Sequence, residues 1–161
     1  MRKLVVTSAA LCAAILFGAN ANAQAPAPYG ETVNNETAKK AVAAAVEESK
    51  KNGWAMCIAV VAPSGDLVQF ERMDNCQFAS ITISQHKAKA AATFRRPTKA
   101  FEDRIAAGGA GLTALTLDGI IASEGGIPIV IGGKIVGAMG CSGGTSQQDG
   151  QACQAGINAV K

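Results

Sequence analysis

From residue 34 onward the apolar positions recur first at helical spacing and then in short runs. Ala38, Val42, Ala45 and Val46 repeat every three or four residues behind Asn34 or Asn35, either of which can cap a helix, and Asn52-Gly53 ends it. Met56 to Ala62 (MCIAVVA) is a short β-branched run and predicts a buried strand. Pro63-Ser64-Gly65-Asp66 is a turn, and Leu67 to Met73 follows as the second arm of a hairpin, with Val68 and Phe70 on one face. The period becomes helical again from Phe78 to Phe94. Phe78, Ile81, Gln85, Ala88 and Ala92 share one side, while Thr82, His86, Lys89, Ala90 and Thr93 share another. Pro97 stops that helix, and Thr98 can cap a shorter one running to about Ala107. Gly108 to Leu117 is rich in glycine, with a weak strand after it. Ile127 to Ile131 and Lys134 to Cys141 form a hairpin about Gly132-Gly133. Ser142 to Gln148 is a polar loop and Asp149 to Val160 a closing helix. The expected class is therefore α+β: an antiparallel sheet of about five strands with helices packed against it, without the βαβ alternation of a nucleotide-binding sheet.

The N-terminus changes the picture. Arg2 and Lys3 precede an apolar stretch from Leu4 to Ala19, and Ala21-Asn22-Ala23 supplies a small-x-small ending. Residues 1–23 thus read as a secretory signal peptide, too short for a membrane anchor. Residues 24–33, rich in Pro and Ala, read as a flexible leader, and 34–161 as one domain. Cleavage after Ala23 takes two of the fifteen cations and none of the twelve acids, leaving a net charge of +1. That balance excludes a phosphate-backbone binder, which needs massed Lys and Arg. The expected location is periplasmic or secreted, with no membrane span after cleavage. Four cysteines then remain: Cys57, Cys76, Cys141 and Cys153. An even count in an exported chain points to two disulfides, with three possible connectivities. Cys57 starts the first hairpin and Cys76 lies just past its other end, while Cys141 ends a strand whose loop leads into the helix carrying Cys153. The expected pairs are those two.

Candidate chemistry is sparse. Gly109-Ala110-Gly111-Leu112-Thr113-Ala114 follows a helix rather than a strand, so it is a loop and not a dinucleotide fingerprint. No carboxylate pair has a spacing that argues for acid–base work. His86 is the only histidine, which leaves one imidazole for any nucleophilic pair. A single histidine serves as a metal ligand where the cofactor brings most of its own ligands, as haem does. Arg95-Arg96, past the helix end, can hold carboxylates or complement the helix dipole.

Several segments resemble the GlcG/HbpS family of haem-binding, so-called haem-degrading domains. They are Ile58-Ala59-Val60-Val61-Ala62 with Gly65, Leu67-Val68, Phe70-Glu71-Arg72-Met73-Asp74, Lys87-Ala88, and Phe94-Arg95-Arg96-Pro97-Thr98. Further on come Glu124-Gly125-Gly126-Ile127-Pro128-Ile129, Val136 to Gly143, and Gln148-Asp149. They fall in the family's order across roughly Asn34 to Lys161. The resemblance implies a profilin-like fold, homo-oligomers and haem as a ligand. Two departures stand out: the family's Lys-Ala-x-Thr-Ala reads Lys87-Ala88-Lys89-Ala90-Ala91, without the hydroxyl implicated in haem contact, and Gly150 replaces an acidic residue. His86, one turn before Ala90, is then the expected axial iron ligand, with Lys89, Arg95 or Arg96 pairing with propionates.

The leading reading is an exported haem-binding protein for sensing, storage or carriage, more a binding protein than an enzyme. The alternatives are an accessory or enzymatic factor acting on another small molecule or degrading haem in the periplasm, and an oligomeric scaffold without ligand.

Overall fold

A computed structural model describes residues 25–161. The signal peptide expected at 1–23 lies outside the described residues. The elements run α1 (Asn35–Lys51), β1 (Cys57–Val61), β2 (Leu67–Arg72), α2 (Phe78–Thr93), α3 (Lys99–Ala106), β3 (Gly126–Ile131), β4 (Lys134–Ser142) and α4 (Ser146–Asn158). The strands form one antiparallel sheet in the order β2-β1-β4-β3. The expected fifth strand is not found among the described residues. Gly109–Thr116 is a 3-10 helix instead, entered through Gly108 and Gly109 at φ 67° and 54°, a region closed to most side chains. The chain then reaches β3 in irregular form.

The helix ends follow local chemistry. Asn34 Oδ1 accepts the Thr37 N–H at 2.8 Å and caps α1. Gly132 and Gly133, both with positive φ, make the tight β3–β4 turn that antiparallel twist favours. The closing helix starts three residues earlier than its apolar pattern predicted, because Thr145 and Gln148 form a reciprocal capping box. Thr98 does not cap α3 with its side chain. Its hydroxyl donates to Ser123 O at 2.7 Å and accepts from the Gly126 N–H at 2.9 Å, tying α3 to β3. The stretch read as a flexible leader is docked at its end. Gly30 N–H donates to Ile135 O, Val33 N–H to Val136 O, and the Tyr29 hydroxyl lies within bonding distance of the Ala92 and Thr93 carbonyls.

Alternation along the strands sorts side chains to two faces. Met56, Ile58 and Val60 of the β1 region, with Met139 and Cys141 of β4, pack against α1 and α4. Ala59, Val61 and Ala138 face α2 and meet Ala88, Ala91 and Ala92. Cys57 is bonded to Cys76, and Cys141 to Cys153, with Cα separations of 6.0 and 5.6 Å, so both expected pairs are present. Among the described residues no helix is long and apolar enough to cross a membrane.

Candidate functional site

α2 places the residues singled out from the sequence. His86 and Lys89, one turn apart, are both exposed on its outer face. The aliphatic stem of Lys89 lies over the β1–β2 turn, where a Cβ added at Gly65 would meet its Cγ at 2.8 Å. Ala90, expected on the same side as His86, is fully buried. Positions four apart on a helix differ by about 40° around its axis, and the edge of the buried stripe passes between these two. The imidazole therefore does not stand where the missing hydroxyl would. Phe78, placed on one side with Ala88 and Ala92, is 79% exposed while those two are buried, and the Arg72 guanidinium lies 5.0 Å from its ring centroid.

The arginines lie elsewhere. Seven residues of helix separate His86 from Thr93, about 10 Å of rise, and Arg95 and Arg96 follow beyond. Arg95 stacks 5.5 Å from the Tyr29 ring centroid and Arg96 5.9 Å from that of Phe101. The structure thus brings His86 together with Lys89, and Arg95 together with Tyr29, but does not gather all four.

A buried polar cluster escaped the sequence reading. Lys87 is 1% exposed. Its Nζ donates to Asp149 Oδ2 and to Glu124 O, both at 2.6 Å. Asp149 Oδ1 also accepts the Gly144 N–H at 3.0 Å. Burial pushes the Asp149 carboxyl above its ordinary range, and the ammonium and backbone N–H groups offset this only in part. Burial likewise raises Glu124, with the Lys99 charge opposing. On the surface Lys99 is raised by its 2.6 Å bond to Asp103. Glycines make the room. A Cβ at Gly125 would fall 2.7 Å from Asp149 Cβ and 3.1 Å from Lys87 Nζ, and one at Gly150 would overlap the Glu124 carboxylate. The signal was a stripe of small residues (Ser80, Ser84, Ala91) with Lys87 in register, which marks close packing rather than a solvated face.

Of four surface cavities, one of about 490 Å³ lies beside Trp54 and Met73, and one of about 400 Å³ between α1 and β2. A third, of about 400 Å³, has Arg95 at its wall, and a fourth of about 360 Å³ holds Lys99, Asp103 and Glu124. His86 lines none of these four. Among the described residues no group of three or more His, Cys, Asp or Glu could hold a metal ion.

Comparison with known proteins places this scaffold. The family described as "Haem degrading protein HbpS-like" matches residues 33–158. Protein GlcG of Escherichia coli (strain K12) is 40% identical over 111 residues, which cover 68% of this chain and 81% of GlcG. The crystal structure of HbpS superposes with a TM-score of 0.74 at 28% identity, covering 82% of this chain and 92% of HbpS. That of the PduOC:heme complex gives 0.73 at 22%, covering 81% and 96%, and shares the fold. With a match across nearly all of the domain, and a fold to agree with it, the chain belongs to the HbpS-like family.

Proposed function

We propose that the chain is an exported haem-binding protein. The observation that carries the reading is the open position of the chain's one imidazole, His86, with a cation one turn away, in a family described by haem. Imidazole is a common haem ligand and supplies an axial bond to iron. The donor set on the outer face of α2 fits: His86 for the iron, Lys89 for a propionate, with Arg95 and Arg96 beyond the helix end as further cations. Haem would supply the redox and iron chemistry. This chain would hold it and set its orientation. His86 lines none of the four cavities described above, and in this reading the second wall of the site would come from another copy of the chain in a homo-oligomer. Export is supported by the expected signal segment and by two disulfides, which persist in oxidising compartments.

Titrating the mature protein with haem tests this. A shifted Soret band that weakens at least about tenfold in affinity in His86→Ala supports it. Identical spectra and affinity in the variant would remove His86 from the role, and no Soret shift at all would reject the function. The family description also favours degradation as a second reading. With a reductant present, loss of the Soret band and release of iron supports that reading, and a stable spectrum rejects it.

A further inference from the structure

We infer that the recess beside Arg95 is a binding site for a small amphipathic monocarboxylate, with the guanidinium holding the carboxylate and an apolar wall taking an aliphatic or aryl body. The recess has a volume of about 400 Å³, and its apolar lining includes Pro97, Ile127, Pro128, Val130, Ile135 and Ile157. Its charged side chains are Arg95 and Lys161, and no Asp or Glu side chain lines it. Neither cation takes part in the ion pairs among the described residues. Concave, mostly apolar surface with one or two placed polar groups is the usual form of a small-molecule site.

Arg95 is held in place before any ligand arrives. Its φ is 53°, a conformation that costs a non-glycine residue of order 1 kcal/mol or more and persists only where the surroundings fix it. Here the end of α2 fixes it: the Arg95 N–H donates to Ala92 O at 3.2 Å and the Arg96 N–H to Ala91 O at 3.3 Å, the pattern of a helix closed by a left-handed residue. Tyr29 holds the side chain. The ring stacks on the guanidinium, and its hydroxyl meets the last carbonyls of α2 at 3.1 and 3.0 Å. Pro28 and Gly30 bond on either side to the backbone of Ile135, whose side chain lines the recess. A pre-set fork binds a carboxylate bidentately and loses little entropy in doing so.

Shape and charge also set a preference. The recess shares Pro97, Ile127 and Gln154 with the fourth cavity, which also carries Lys99, Asp103 and Glu124; Lys99 pairs with Asp103, so the net charge there is that of one carboxylate. A ligand long enough to follow the groove would bring its far end to these carboxylates. A second negative charge there is repelled, so a monocarboxylate is favoured over a dicarboxylate of the same length.

The probe is sodium octanoate, titrated into the mature protein with labelled isoleucine methyls and no haem present. Saturable shifts are expected at Ile127, Ile135 and Ile157, with 1-octanol and octanedioate each at least about tenfold weaker. Arg95→Gly should weaken octanoate by at least about tenfold while keeping the fold, because glycine favours φ near 53°. His86→Ala should bind octanoate as the wild type does, which separates this site from the haem proposal. Octanol binding as tightly as octanoate, undiminished binding by Arg95→Gly, loss of binding in His86→Ala, or no saturable shifts would each overturn the inference.

Discussion

The two faces of the sheet are packed by different means. Against α1 and α4 lie Met56, Ile58, Val60, Ile129 and Met139, large side chains whose burial contributes roughly 1.5–3 kcal/mol each. Against α2 lie mostly alanines, and two glycines let the helix backbone come close. A Cβ at Gly140 would overlap the Ser84 carbonyl oxygen, and one at Gly126 would overlap that of Lys87. Small residues bury little apolar area, so this face relies on backbone proximity, on Ser80 meeting Ser142 at 2.9 Å, and on the Lys87–Asp149 pair. The difference teaches that tolerance should differ as well. The first face should accept changes of a methylene, and the second almost none.

The largest effect is expected at the closest approach. Gly140→Val should cost more than about 4 kcal/mol, because the new side chain meets helix backbone that cannot yield. Urea denaturation measures it, and a loss similar to that of Ile58→Val on the opposite face, about 1 kcal/mol, would break the comparison. Next comes Lys87→Met, which strands a buried carboxylate and should cost about 3–5 kcal/mol. Adding Asp149→Leu should recover part of that loss. If the double variant is no better than the single, the pair is not the tie between α2 and α4. The smallest effect is a pH dependence. Glu124 holds its proton more tightly in the folded than in the unfolded chain, so its contribution is full below 4.5 and is lost as pH rises through its raised folded value. The melting temperature of the wild type relative to Glu124→Gln should therefore fall from pH 4.5 towards neutrality. A rise over that range would reverse the assignment.

Much of the fold was legible because hairpins announce themselves. Pro63 to Asp66 and Gly132-Gly133 fixed two strand pairs, and the four cysteines fell beside the right elements. What failed did so where period and burial part company. In α2 the apolar pattern has little contrast, so nothing along it marks Lys87 as buried and Phe78 as exposed. Two fixed acceptors offset the cost of burying a lysine, and no local pattern shows acceptors that come from Glu124 and Asp149. The arginines were legible as cations, but Tyr29, distant in sequence, decides which way Arg95 is held.

Cys57 and Cys141 sit on neighbouring strands, one register step apart, since Cys57 pairs with Ser142 and Ile58 with Cys141. Their thiols consequently leave the sheet through opposite sides, one towards the entry of α2 and the other towards α4. Once these strands have zipped, the pleat itself acts as a partition, and a shuffled cross-link would have to pierce it. Correct oxidation of this chain thus follows from strand alignment.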